Sequence, residues 1–229
     1  MKAPFRRLGV AVTGLTCVLA GLAGIAPEAS ASISCSTGNH CYSYLNGYGT
    51  TFYGLYGTWN RAAMNVPTAN SSNKYFVDSE IWGVQGSAWV EAGLAQGYFQ
   101  PETSVGYFGF AAYMDTSGYY KEYSFGAKTQ NASVTDEFQI SRGGSANVWN
   151  AYCDGVLRST PAIGFWVVST VDVGGEVFGA LATSGQSTMY VKGYNSALAR
   201  VNLGLQQGIV NQGMVGSSPA SSTWKWNII

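Results

Sequence analysis

Charge is what this sequence of 229 residues has least of: Asp, Glu, Lys and Arg make up 10% of it, and 12 basic residues cancel 12 acidic ones. A protein that tracks a phosphate backbone needs a surplus of Lys and Arg, so nucleic acid drops out as a partner. Histidine occurs once, at position 40. A Ser-His-Asp triad would have to use His40, which stands in a turn-rich stretch between Cys35 and Cys41 and reads there as structural or incidental. A zinc site built on Cys35, His40 and Cys41 has no fourth ligand at a known spacing, and a disulfide would consume both thiols. The sequence also lacks a GxGxxG turn, a Walker loop and an HExxH helix. No cofactor and no metal is expected.

What is abundant is Gly (30 residues) and aromatic side chains (14%, with 15 Tyr and 7 Trp). The chain is too apolar for intrinsic disorder and too rich in Gly, Tyr and Trp for a helical bundle. An all-β extracellular protein fits best. Lys2, Arg6 and Arg7 followed by the apolar stretch Leu8 to Ile25 and by Ala29-Ser30-Ala31 have the regions of a signal peptide, with cleavage expected after residue 31. A membrane anchor competes with that reading, because the apolar run approaches spanning length. General secretion is favoured over twin-arginine export, since Leu8-Gly9 follows Arg6-Arg7. Residues 32–229 would then form one β-sandwich domain with 9 Lys and Arg against 11 Asp and Glu, secreted and free of the membrane. Three cysteines stay with it. Cys35 and Cys41 are expected to close a small loop with Cys153 as a buried free thiol, and a Cys41–Cys153 bridge is the alternative.

Period-two alternation punctuated by Gly, Asn, Ser and Pro recurs along the chain. It predicts strands over Tyr42 to Leu45, Thr51 to Trp59, Tyr75 to Val84, Ala88 to Tyr98, Val105 to Met114, Tyr119 to Phe125, Val134 to Ser141, Asn147 to Cys153, Gly164 to Val173, Glu176 to Thr183, Ser187 to Tyr194 and Trp224 to Ile228. So many short strands argue for a sandwich or barrel with little or no helix. Asp154-Gly155 signals a tight type I′ hairpin. Ser196 to Gln207 has both helical and strand spacing, with the strand favoured, while Asn65 to Asn73 and Gly213 to Ser222 read as loops.

The acids sit two residues from aromatics: Glu80 and Trp82, Trp89 and Glu91, Tyr120 and Glu122, Glu176 and Phe178. Residues i and i+2 of a strand point the same way, so each pair shares a face. Carboxylates accept hydrogen bonds from hydroxyls or amides, and flat rings stack on pyranose faces. The competing reading makes the rings core and the acids solvated edge residues. Glu91 in Ala88-Trp89-Val90-Glu91-Ala92-Gly93-Leu94 and Glu176 in Gly174-Gly175-Glu176-Val177-Phe178 lie among small or apolar residues, which disfavours the charged carboxylate and raises it towards the range of a general acid. Two carboxyls across a groove could serve glycoside or peptide hydrolysis.

The succession Tyr75 to Val84, Ser87-Ala88-Trp89-Val90-Glu91-Ala92-Gly93, Trp149-Asn150-Ala151-Tyr152-Cys153-Asp154-Gly155, Gly174-Gly175-Glu176-Val177-Phe178 and Trp224-Lys225-Trp226 resembles a group of secreted actinobacterial proteins. Their strand order is similar to that of the eqolisins, the glutamic peptidases. The resemblance implies a concanavalin-like sandwich of two antiparallel sheets. It also implies a catalytic Gln and Glu facing each other across the concave sheet and activating water at acid pH. Glu91 falls where the family has Gln, and Glu176 where it has Glu. The Gln donates an amide hydrogen to the developing oxyanion, which only a protonated Glu91 could do. No Trp flanks Glu176 as one flanks the family's Glu. Three functions follow as expectations. The first is binding of a carbohydrate or similar polymer through Trp82, Trp89, Tyr120, Glu122 and Tyr123. The second is acid hydrolysis of a peptide or glycan by Glu91 and Glu176, and the third is a sandwich whose partner is another protein.

Overall fold

The structure is a computed structural model that describes residues 40–179, 181–204, 206–211, 213–220 and 222–228. The expected leader over residues 1–31 and Cys35, hence the expected Cys35–Cys41 bridge, lie outside them. The strands in chain order are β1 (His40–Phe52), β2 (Gly54–Arg61), β3 (Met64–Asn65), β4 (Phe76–Gln85), β5 (Ala88–Phe99), β6 (Ser104–Met114), β7 (Tyr120–Ala127), β8 (Asn131–Arg142) and β9 (Trp149–Cys153). They continue as β10 (Val156–Ser159), β11 (Val168–Phe178), β12 (Thr183–Ser184), β13 (Ser187–Tyr194), β14 (Arg200–Val201), β15 (Gln206–Val210), β16 (Met214–Ala220) and β17 (Thr223–Ile228). No helix occurs among the described residues.

One sheet runs β15-β1-β11-β4-β5-β6-β7 and the other β10-β9-β8-β2-β13-β17-β16, with β14 beside β13 and a small β12-β3 ladder apart from both. Every pairing within the two large sheets is antiparallel. This is the all-β, concanavalin-like sandwich of two antiparallel sheets that alternation and resemblance led us to expect. The hairpin at Asp154-Gly155 is also present. Both residues have positive φ (52° and 73°), and Val156 pairs with Cys153 across the turn.

The core lies between the sheets. It takes alternate positions of each strand, such as Val77 and Ile81 of β4, Val90, Ala92 and Leu94 of β5 and Val171, Val173 and Val177 of β11. Facing them are Trp59, Phe138, Trp149, Trp224 and Trp226, all 1% exposed or less. Phe138 stacks on Trp59 with ring centroids 4.6 Å apart. Ser79 Oγ donates to Ser187 Oγ at 3.1 Å, which ties β4 to β13 across the interior. Cys153 is a buried free thiol, so it forms no bridge with Cys41, and burial pushes it up to about 11.

Several expected boundaries shift. Gly164 to Val173 and Glu176 to Thr183 merge into the single strand β11, with Gly174-Gly175 in its middle rather than at a turn. The two glycines are there for close approach: a Cβ on Gly175 would run into the Trp226 ring, and one on Gly174 would stand 2.8 Å from Tyr44 Cδ1. Gly213 to Ser222 holds strand β16, paired with β17, where the Gly and Ser content suggested a loop. The Ser196 to Gln207 segment contributes only Arg200–Val201 and the start of β15. His40 belongs to β1, not to a loop, because β1 is paired along its length with β11 and begins at that residue.

Truncating Phe138 to Ala removes a ring at 0% exposure that Trp59 covers. The expected cost is about 3–5 kcal/mol, measured as a lower urea midpoint with an unchanged slope.

Candidate active site

The face of the β15-to-β7 sheet turned away from the core carries the positions between the core residues, and the register arranges them in rows. One row reads Asn46, Asp172, Trp82, Glu91, Ala112 and Glu122. The next reads Tyr44, Gly174, Glu80, Gly93, Phe110 and Ser124, and the one after it Tyr42, Glu176, Asp78, Ala95 and Phe108. His40, Phe178 and Phe76 follow in a fourth row. Asp78, Glu80, Glu91, Glu122, Asp172 and Glu176 thus share one face. No Lys or Arg stands in these rows.

Of the expected site residues, Glu91, Glu176, Trp82, Trp89, Tyr120 and Glu122 all belong to this face. Tyr123 does not. It pairs with the core residue Ala111, stacks on Tyr113 at 6.1 Å and packs against the interior. Strand alternation that puts Tyr120 and Glu122 outside must turn Tyr123 inward.

Glu91 and Glu176 stand two strands apart and four residues out of register, so their Cα atoms are roughly 17 Å apart at about 3.4 Å per residue and 4.8 Å per strand. Glu80 fills the gap. It is diagonal to Glu91 on one side and to Glu176 on the other, and the positions directly beside it are Gly93 and Gly174. A Cβ at Gly93 would lie 3.0 Å from the Glu80 Cβ. Glycine on both flanks leaves space for Tyr44 to reach across β11. Its hydroxyl donates to Glu80 Oε1 and stands 3.4 Å from Glu176 Oε2. Glu80 is 0% exposed, and its Oε2 has no N–H or O–H to accept from among the described residues. Glu91 stands diagonal to it on β5, where the charge of Glu80 acts on it. Ionisation of one of two such neighbouring carboxyls disfavours ionisation of the other.

Burial dominates the electrostatics. It raises Glu91 and Asp78 well above the carboxylate range, with the charge of Glu80 adding to both, and it pushes Glu80 and Asp172 up to about 7 each. Glu122 is raised for the same reason. The Tyr44 phenol is driven well above its ordinary value by burial and by Glu80, and it stays a donor. Asn46 Nδ2 donates to Asp172 Oδ1. Oxygens of Asp78, Glu80 and Glu176 lie within 4.8 Å of one another. Each already has a protein donor: the Glu176 N–H reaches Asp78 Oδ1 at 3.0 Å, Tyr44 reaches Glu80, and the His40 Nδ1 meets Glu176 Oε1. The trio is linked to its surroundings by these hydrogen bonds.

The rings form a flank along Glu91. Trp82 and Trp89 meet edge to face at 6.1 Å and 84°, and Trp89 meets Tyr120 at 5.7 Å and 54°. Tyr120 donates to Glu122. Beyond them opens a cavity of about 270 Å³ lined by Gln100, Pro101, Tyr120, Lys121 and Glu122. Sequence reasoning passed over Asp78, Tyr44, Asp172 and His40 and left Glu80 out of the site. Asp78-Ser79-Glu80 extends the Glu80/Trp82 alternation by one step, and that signal would have found Asp78.

No family model and no curated protein matches the chain by sequence. Solved structures match it by shape. Scytalido-glutamic peptidase with a transition-state analogue inhibitor superposes with a TM-score of 0.59 at 10% identity, over 87% of this chain and 100% of that one. The sandwich is similar in fold to that glutamic peptidase. SCP-B, an eqolisin in complex with the tripeptide Ala-Ile-His, gives a TM-score of 0.55 at 11% identity over the same shares. A Bacillus licheniformis β-glucanase matches at a TM-score of 0.41 and 14% identity, over 81% of this chain and 68% of that one.

Carboxyls raised in the folded state bind protons that the unfolded chain has released. Their stabilising share is complete below pH 4 and is lost as pH rises through about 7, where Glu80 and Asp172 ionise. The expected melting temperature is therefore highest in acid and falls between pH 4 and 8. Glu80→Gln should flatten that fall, as read by scanning calorimetry at several pH values.

Proposed function

We propose that this face is the active site of an exported, acid-active hydrolase that cleaves peptide bonds. The observation that carries the reading is the diagonal of Glu91, Glu80 and Glu176 on one face, with Tyr44 bonded to the buried Glu80 and no Lys or Arg in those rows. Carboxyls that keep a proton up to about neutral pH are general acids in acid medium, and the neighbouring Glu176 supplies a base on the other side of Glu80. A water held at Glu176 loses its proton to that carboxylate and attacks the carbonyl carbon. The Glu91 proton bonds to the carbonyl oxygen as its charge grows, which is the work of the family's amide hydrogen. Proton return to the amide nitrogen releases the product amine. The fold likeness to two peptidases supports a peptide, and the cavity beside Glu122 has room for one substrate side chain.

Binding of a carbohydrate without hydrolysis is the second reading, favoured by the row Trp82, Trp89 and Tyr120. The tilt of those rings against one another, up to 84°, weakens it, because a pyranose stacks on a ring face left open.

Internally quenched peptides and soluble β-glucan, assayed from pH 2 to 8, separate the two. Peptide cleavage with an acid optimum is expected, falling about 10²- to 10⁴-fold in Glu176→Gln and Glu80→Gln. Glu91→Gln should keep turnover and extend it to higher pH, since an amide donates its hydrogen at any pH. Absent cleavage, together with glucan binding lost in Trp89→Ala, would replace the first reading with the second.

A further inference from the structure

Of the six carboxyls on this face, Glu176 alone meets an imidazole. His40 opens β1 directly opposite Phe178, and its Nδ1 lies against Glu176 Oε1. The ring is oriented by aromatic neighbours: Phe178 at 4.7 Å, Tyr42 at 6.1 Å nearly parallel to it, and Phe76 at 6.2 Å edge-on. The His40 side chain keeps 41% of its surface open, whereas Glu176 keeps 12%. It can therefore exchange protons with solvent while touching a carboxyl that is largely covered. The ionisable groups facing the imidazole are Glu176 from β11, Asp78 beyond it on β4, and Tyr42 on its own strand. Tyr42 is pushed up to about 12 and is neutral throughout the acid range. No Lys or Arg competes for Glu176 in these rows.

We propose that His40 is the positioning residue and counter-charge of Glu176, holding that one carboxyl ionised and aimed towards Glu80 while the other carboxyls of the face keep their protons. The proposal rests on the acid-hydrolase reading and names the group that splits acid from base within it. Without such a group, six like carboxyls would take up protons together as the medium turned acid, and no base would remain. The imidazolium forms in acid, below the range in which Glu80 and Asp172 take up their protons. Burial lowers the His40 titration below its ordinary 6.5, so the cation forms only in acid. Above that range His40 is neutral, and the pair contributes a hydrogen bond without the charge.

A single histidine in the sequence makes the test direct, because its Cε1–H resonance needs no assignment. The wild type and Glu176→Gln are titrated by NMR. Loss of the anion should lower the His40 midpoint by about one pH unit or more. Asp78→Asn should lower it less. A midpoint in Glu176→Gln that is unchanged or higher overturns the proposal, whether or not the protein hydrolyses anything. With a quenched peptide, His40→Ala and His40→Gln should both move the acid limb of the kcat profile up by about one pH unit with KM unchanged. A limb left in place in either variant, or restored by Gln alone, overturns the charge role. A wild type that cleaves no peptide overturns the hydrolase reading instead, and the NMR midpoints then decide the His40–Glu176 pairing alone.

Discussion

Carboxyl groups held out of water, with no Lys or Arg in their rows and a single histidine at their edge, constrain everything on the outer face of this sheet. A buried, ionised carboxylate costs several kcal/mol unless it is paired or gives up its charge. The face gives up charge. Burial raises Glu80 and Glu91, Tyr44 donates to Glu80, and Asp78 accepts the backbone N–H of Glu176. Gly174 and Gly93 follow from the same constraint, since Tyr44 reaches Glu80 only across a strand without a side chain at that point.

The cations are used elsewhere. Arg61 bonds Asp136 through Nε and Nη2 at 2.6 and 2.7 Å, and Lys128 reaches the same carboxylate at 2.8 Å and Asp154 at 3.0 Å. Arg200 lies 3.4 Å from the Tyr56 ring centroid, and Arg142 lies over Tyr53 and Trp166. One sheet thus carries compensated charge on conventional pairs, while the other concentrates acid. Segregation of this kind makes a neutral sequence locally acidic, which net charge alone conceals.

Period-two alternation was enough to read the all-β class, most strands and the face shared by Glu91, Trp89, Trp82 and Glu122. It was also enough to exclude Tyr123, had it been applied across Tyr120, Glu122 and Tyr123 together. Glycine misled twice. Gly174-Gly175 and the Gly213 to Ser222 stretch looked like turns, yet the first lies mid-strand because Trp226 and Tyr44 occupy the space of the missing side chains. The link between His40 and Glu176 spans 136 residues and depends on which strands become neighbours, and no local pattern encodes that. The same holds for Glu80, whose importance comes from what stands diagonal to it on β5 and β11.

The diagonal from Glu91 through Glu80 to Glu176 is drawn from three strands, and β1 completes it with Tyr44 and His40. Its contacts close loops of up to 136 residues, and the Trp224 indole N–H to Ser43 carbonyl bond behind it closes one of 181. Sheets joined over such separations assemble slowly. No partly folded chain that lacks either β1 or β11 has Glu91, Glu176 and His40 together. The full set of Glu91, Glu80, Glu176 and His40 therefore exists only in the finished sandwich, and topology alone keeps it from forming in a partly folded chain.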